Sequence, residues 1–344
     1  MNKNILITGG AGFIGINSAD YLLAKHRNVI IFDNLSRKGS SYNIKWLKQK
    51  WGDRVNFIKG DITTDKRKLA SAVNNSDVII HLAAQVAVTT SVVNPRKDLM
   101  INLVGTFNIL ESIRSSKRKP MLIFSSTNKV YGNIDNIAIK KTRKGYRYKN
   151  LSQGVSEDMQ LDFHSPYGCS KGAADQYVRD YSRIYGLNTV VFRQSCIYGP
   201  HQFGVEDQGW VAWFTISAIL NRKITIYGDG YQVRDVLHVD DLSRLYNEAI
   251  KKDNKIKGQI YNIGGGNQNV FSILDTIRYL ERRLGMKIDY SFSDWRPGDQ
   301  KVFISDIGKI KEELNWEPRI DINKGLDSLI TWVQENRREV QRIV

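Results

Sequence analysis

The chain has 344 residues, 41% hydrophobic and 25% charged, a globular composition long enough for one large domain or two closely packed ones. No stretch approaches the ~20 apolar residues that span a bilayer, and the apolar run before the first glycines is short for a secretion signal, so a cytoplasmic protein without a membrane partner is expected. The formal charge of +16 favours anionic partners, among which nucleic acid, acidic lipid and a phosphorylated metabolite all fit.

Runs of mostly apolar, β-branched residues at 4–8, 29–33, 55–60, 78–84, 121–126 and 189–193 alternate with longer amphipathic segments. Their hydrophobicity is continuous rather than alternating, which predicts strands covered on both faces, as in a parallel sheet between helix layers. After Arg193 the pattern changes to an aromatic helical segment at 210–223, a glycine turn and a strand at 232–239; a further buried strand at 259–265 precedes amphipathic C-terminal helices. The expected fold is α/β: a doubly wound parallel (Rossmann) sheet with a smaller mixed α/β cap. Residues 1–193 plus about 232–265 are assigned to the sheet domain, and about 194–231 plus 266–344 to the cap.

Cys169 and Cys196 are the only cysteines, too few for a disulfide framework or a multi-thiolate zinc site, and both read as small buried residues. There is no His-x-x-x-His pair, so no metal is expected. Basic clusters at 117–119 and 140–149 carry no regularly spaced aromatic platform; they read as solvated loop surface and imply no nucleic-acid partner.

The first strand runs into ITGGAGFIG, giving Gly10-x-Gly12-x-x-Gly15 and Gly9-x-x-Gly12-x-x-Gly15. Glycines here permit a tight turn, let the backbone approach a pyrophosphate and bring the next helix close, while that helix's N-terminus supplies N–H donors. Asp33, 18 residues beyond Gly15 at the end of the second strand, suits a ribose diol and repels a 2′-phosphate, so NAD is favoured over NADP, although Arg37 and Lys38 pull the other way. Asp61 after the third strand is placed to meet adenine, and Ala83 and Ala84 after the fourth leave room for ribose or nicotinamide.

In HSPYGCSKG, Ser165 and Pro166 predict a helix start, with Gly186 as its stop. Tyr167 and Lys171, four apart, then share a face. An ammonium and an oxidised nicotinamide beside the phenol are expected to lower its pKa by roughly 3 units, worth about 4 kcal/mol, which makes it a base for a sugar hydroxyl.

The glycine turn, the Tyr-x-x-x-Lys pair and the Ser/Thr at the fifth strand resemble the extended short-chain dehydrogenase/reductase family, from residue 1 to about 332. The resemblance implies a bound NAD and places Thr127, in SSTNKVYG, on the family's catalytic hydroxyl beside Tyr167 and Lys171. It implies cofactor contacts from the turn (Gly9, Gly12, Phe13, Ile14, Gly15) and from Asp33, Asn34, Asp61 and Ile62. Ala83, Ala84, Gln85, Asn102 and Ser125, with Tyr167 and Lys171, complete that set. Implied substrate contacts are Gln85, Thr127, Asn128, Lys129 and Arg193, with Arg234 and Arg296 as clamps on a diphosphate, a geometry guanidinium forks suit.

Family members that dehydrate nucleotide hexoses carry Asp-Glu after the threonine; this chain has Asn128-Lys129, which disfavours 4,6-dehydration. Epimerisation needs only removal of hydride, reorientation of the ketone and return of hydride. The runs 33–39, 125–132, 160–177 and 207–214 resemble epimerases that invert C2 of a CDP-3,6-dideoxyhexose, which implies a CDP-sugar substrate and a homo-oligomer paired through helices near 97–116 and 166–185. A UDP-hexose 4-epimerase remains open, as does a non-catalytic RNA-binding protein on the same fold, which the high pI alone supports.

Overall fold

The computed structural model describes residues 3–296 and 298–344; Met1 and Asn2, assigned above to the sheet domain, lie outside the described residues. The chain forms two compact units, one of residues 1–130, 165–193 and 239–261, the other of 131–164, 194–238 and 262–344.

β1 (Asn4–Thr8), β2 (Asn28–Asp33), β3 (Val55–Lys59), β4 (Val78–His81) and β5 (Met121–Thr127) join Thr189–Gln194 and Ile260–Ile263 in a seven-stranded parallel sheet, which belongs to the first unit up to Arg193 and Tyr261. Its order is Ile260–Ile263, Thr189–Gln194, β5, β4, β1, β2, β3. β1 is flanked by β2 and β4, with Ile5 in register with Val29 on one side and Val78 on the other. The chain order reverses at this strand, and open α/β sheets hold ligands outside the carboxyl ends of the strands at such a point.

The continuous hydrophobicity has the expected cause. β4 and Thr189–Gln194 are buried at every residue. On one face Leu6, Phe32, Ile79 and Phe124 pack with Leu69, Ile109, Ala174 and Val178 from helices Lys66–Asn74, Gly105–Ser115 and Ser165–Tyr185. On the other, helix Phe13–Ala24 meets Val239–Lys251, with Ser18 Oγ 3.3 Å from Ser243 Oγ, and Phe192 stacks on Tyr246 at 6.0 Å. Each large apolar side chain buried in this way contributes about 1.5–3 kcal/mol, so the core fixes the strand ends that carry the site.

The strands of the second unit are short. Ile224–Tyr227 pairs in parallel with Tyr290–Ser293, while Val233–His238 pairs with Val270–Ser272, Cys196–Tyr198 and Val302–Phe303. Helix Ile273–Leu284 is bounded by local chemistry: Ser272 and Asp275 form a capping box, and Gly285 at φ 67° stops it. It buries Ile277 and Leu280 against Phe214, Ile224 and Ile330.

Residues 131–164, 232–238 and 262–265, expected in the sheet domain, group with the second unit. Val233–His238 is the spine of the small sheet, and the basic cluster 140–149 is an ordered hairpin, Ile139–Thr142 with Gly145–Tyr148, that attaches beside it. Tyr146 N–H donates to Tyr231 O at 3.0 Å, Tyr148 OH donates to Val302 O at 3.0 Å, and Lys141 pairs with Asp229 at 2.8 Å. A solvated loop was expected there. Two buried cysteines were also expected, yet Cys169 is exposed and Cys196 only half-buried, because Cys169 takes the outer side of its helix between buried Gly168 and Ser170.

Among the described residues no helix is long and apolar enough to cross a membrane, and no group of three or more His, Cys, Asp or Glu is placed to hold a metal ion.

Candidate active site

β1 ends at Thr8 and the chain turns directly into helix Phe13–Ala24. Gly9 has φ 71°, and a Cβ there would meet Ala83 N at 2.6 Å; a Cβ on Gly15 would meet Gly10 Cα at 2.5 Å. Both positions therefore require glycine. A Cβ on Gly12 would meet only Gly9 O, at 3.2 Å, so the outer side of the turn is open. Gly12 caps the helix with no side-chain acceptor, which leaves the first-turn N–H groups, those of Phe13 and Ile14 included, as anion donors.

Asp33 closes β2 beside this turn, its Oδ2 accepting from Ala11 N–H at 3.0 Å and its Oδ1 from Leu35 N–H at 2.7 Å. Burial pushes its carboxyl up, against the N–H groups of Leu35, Ala11 and Gly12. Asn34 Nδ2 donates to Asp61 at 2.7 Å, and Thr63 donates to Asp61 through N–H at 2.8 Å and Oγ at 2.6 Å. Ile62 is buried, at the place where a Cβ on Gly105 would strike it. Ala83 and Ala84 are half-buried beyond β4. The Gln85 side chain closes on its own loop, bonding Ala87 O at 2.7 Å and Ala87 N–H at 2.8 Å, and its backbone N–H donates to Asn102 Oδ1 at 2.9 Å. An open glycine cradle, an uncapped helix N-terminus and a strand-end carboxylate fit a dinucleotide.

Helix Ser165–Tyr185 starts as expected, with Ser165 Oγ accepting from Gly168 N–H at 3.2 Å, and Gly186 follows at φ 65°. Tyr167 and Lys171 are both buried. Lys171 Nζ donates to Ser125 O at 2.5 Å and lies 4.2 Å from the Phe124 ring centroid. Tyr167 N–H donates to Ser91 Oγ at 3.1 Å, and its phenol is hydrogen-bonded by Thr127. The end of β5 and one turn of helix thus bring Thr127, Tyr167 and Lys171 together. Asn128 and Lys129 follow in a short turn, Asn128 buried, and neither supplies a carboxyl.

The charges differ from expectation. Burial pushes the Tyr167 phenol up to about 12, with Asp98 adding to the rise and the Thr127 hydrogen bond opposing it. Burial pushes Lys171 down to about 7, against Asp175 and Asp98. The protein's own groups therefore raise the phenol pKa, desolvation being the largest cause, while the Lys171 amine is turned toward a carbonyl and a ring. His81 lies between Thr8 (2.7 Å) and Thr106 (3.0 Å); burial and the Lys171 charge push it down to about 3, which keeps it neutral.

Arg193, expected to touch substrate, is buried and engaged by a carboxylate of the first unit. It forms a bidentate pair with Asp175 at 3.0 Å, and Asp175 also accepts from Ser126 Oγ at 2.7 Å. The sequence reading passed over Asp98, Asp175 and Ser170. The one available signal was spacing, since Asp175 falls four residues after Lys171.

In the second unit Arg234 is half-buried near Tyr148, its Nη1 donating to Val233 O at 2.9 Å. Arg296 stacks 3.7 Å from the Tyr227 ring centroid, pairs with Asp207 at 3.3 Å and donates to Glu206 O at 3.1 Å.

A parallel sheet with a glycine turn, a strand-end aspartate and a Thr, Tyr and Lys cluster defines an enzyme of the short-chain dehydrogenase/reductase fold. The profile of the GDP-mannose 4,6 dehydratase family matches residues 6–329, and the chain belongs to that family. It is 44% identical over 335 residues to the CDP-paratose 2-epimerase of Salmonella typhi, covering 95% of this chain and 98% of that protein. The solved UDP-glucuronic acid 4-epimerase of Bacillus cereus, in complex with UDP-glucuronic acid and NAD, is 29% identical with a TM-score of 0.83, covering 96% of this chain and 99% of that one. The dTDP-glucose 4,6-dehydratase of Streptomyces venezuelae, with NAD bound, is 28% identical with a TM-score of 0.85, covering 99% and 100%.

Proposed function

We propose that the chain is an NAD-dependent isomerase of nucleotide sugars that inverts C2 of a CDP-3,6-dideoxyhexose, converting CDP-paratose to CDP-tyvelose. The observation that carries this reading is the burial of Tyr167 and Lys171 one helical turn apart, with Lys171 bonded to the end of β5 that bears Thr127 and with Asn128-Lys129 where dehydration needs a carboxyl pair. The choice of sugar rests on the 44% identical relative.

NAD, held by the glycine turn, the uncapped helix N-terminus and Asp33, supplies a hydride acceptor and donor, so that redox cancels over the cycle. Thr127 fixes the substrate oxygen beside Tyr167. Tyr167 takes the proton of the C2 hydroxyl as C2 loses hydride, and gives it back after the ketone has turned its other face. Lys171 keeps positive charge near that oxygen and, by the family resemblance, holds the nicotinamide ribose. Arg234 and Arg296 are the proposed diphosphate contacts.

A second copy of this chain is the proposed partner. Helices Gly105–Ser115 and Ser165–Tyr185 leave Phe107, Tyr177, Ile184 and Tyr185 exposed, and Phe107 meets Tyr177 edge-on at 6.1 Å, an apolar face larger than scattered single residues would give.

Denaturing the purified protein should release NAD, and the untreated protein should turn over CDP-paratose from a panel of CDP- and UDP-sugars. Turnover of UDP-galactose alone would overturn the C2 assignment in favour of a 4-epimerase.

A further inference from the structure

One buried carboxylate of the first unit has no part in the chemistry described so far. Asp98 is 0% exposed; it accepts from Asn102 Nδ2 at 3.1 Å and from Ser170 Oγ at 2.5 Å. Ser170 lies inside the Tyr-x-x-x-Lys turn, next to Lys171, and Asn102 also donates to it at 3.1 Å. Asn102 belongs to a widened turn, Met100–Val104, and its Oδ1 receives the Gln85 N–H from the loop after β4. Asp98 therefore ties the reacting turn to the loop that borders the dinucleotide crevice.

Its charge has a second consequence. A buried ammonium is costly unless a negative charge lies close by. Two buried carboxylates stand near Lys171: Asp175, which is bonded on both oxygens by the Arg193 guanidinium, and Asp98, whose hydrogen bonds come from the neutral donors Ser170 and Asn102. Asp175 acts on Lys171 more strongly but shares its charge with Arg193; Asp98 is the second counter-charge, and its hydrogen bonds come from neutral donors. The groups facing this cluster are Tyr167 and Asp175 on the same helix, His81 from β4, the Ser125 carbonyl from β5 and Arg193 from Thr189–Gln194.

We propose that Asp98 is a positioning residue of the active site, one that anchors the Tyr167–Lys171 turn through Ser170 and holds the proton on the Lys171 amine. This rests on reading Tyr167 and Lys171 as the reacting pair. Burial raises the Asp98 carboxyl, while the Ser170 hydroxyl and the Lys171 charge pull it back toward the ionised form. Because the Asp98 charge also raises the phenol of Tyr167, its removal should lower both pKa values together. Lys171 would lose its proton, and Tyr167 would ionise, at lower pH than in the parent.

The test is Asp98→Asn in the full chain, with the Lys171 side chain followed by NMR on lysine-labelled protein and assigned by its absence in Lys171→Arg. The expected result is a Lys171 pKa lower by roughly one unit, as for loss of a near opposite charge, with both limbs of the kcat/KM profile displaced to acid. Ser170→Ala, which keeps the carboxylate but removes the hydrogen bond that favours its ionised form, should displace Lys171 the same way by less. A folded Asp98→Asn that only loses activity at every pH, with Lys171 titrating as in the parent, would overturn the proposal; so would an unchanged Lys171 in Ser170→Ala. The titration is read without sugar, so failure to turn over CDP-paratose would count against the assigned reaction and leave this result standing.

Discussion

Asp175 and Arg193 meet through two hydrogen bonds of 3.0 Å, with Asp175 0% and Arg193 2% exposed. Charges so deeply buried are tolerated only as a pair, and loss of one partner typically costs about 3–5 kcal/mol because the other is stranded. Arg193→Leu should therefore lower the melting temperature by many degrees and reduce the yield of folded protein. Had Arg193 been a substrate contact, the variant would melt near the parent temperature and show only a raised KM.

Arg296 lies over the Tyr227 ring and is forked toward Asp207 and Glu206, while Arg234 sits near Tyr148. A charge-assisted hydrogen bond to phosphate is worth about 1.5–3 kcal/mol, so Arg234→Ala and Arg296→Ala should each raise KM ~10-fold or more, with kcat changed less. Arg296→Lys should not restore KM, since an ammonium neither stacks nor forks as a guanidinium does. Steady-state kinetics with the CDP-sugar check both. A KM near the parent value in the alanine variants would remove these arginines from the substrate site.

The sheet was legible from the sequence because most of its strands are buried on both sides, as the runs VIIFD and TVVFR are; only the edge strand β3 is largely open. The glycine turn and the Tyr167 helix were legible for a different reason, since each depends on contacts a few residues apart. What was not legible came from pairing at a distance. Arg193 read as a ligand because nothing local marks Asp175, 18 residues earlier, as its partner. The hairpin at 139–148 was hidden by its lysines and arginines, although Tyr146 and Tyr148, two apart, already carry the alternation of a strand. The burial that raises the Tyr167 phenol was not legible either, since a neighbouring cation is visible in sequence and desolvation is not.

Lys171 gives the stability a pH dependence of definite sign. Its pKa is about 7 in the folded protein against 10.5 as an ordinary lysine. Below pH 7 both states hold the proton and the whole cost of burying it is present. Between about 7 and 10.5 the unfolded chain holds more protons, so stability rises with pH by up to about 1.4 kcal/mol per unit. Urea unfolding of nucleotide-free protein should show the parent gaining roughly 2–3 kcal/mol relative to Lys171→Met between pH 7 and 9. A constant difference between the two across that interval would mean that Lys171 titrates as an exposed lysine.

The central claim is that the Tyr167 hydroxyl moves the proton while NAD stays with the protein. Its most direct test is turnover of CDP-paratose by Tyr167→Phe, with the nucleotide released on denaturation measured in the same preparation. General acid–base catalysis is worth about 10²–10⁴-fold. The account predicts a loss of that size in a variant that still carries NAD, and turnover within a few-fold of the parent would contradict it.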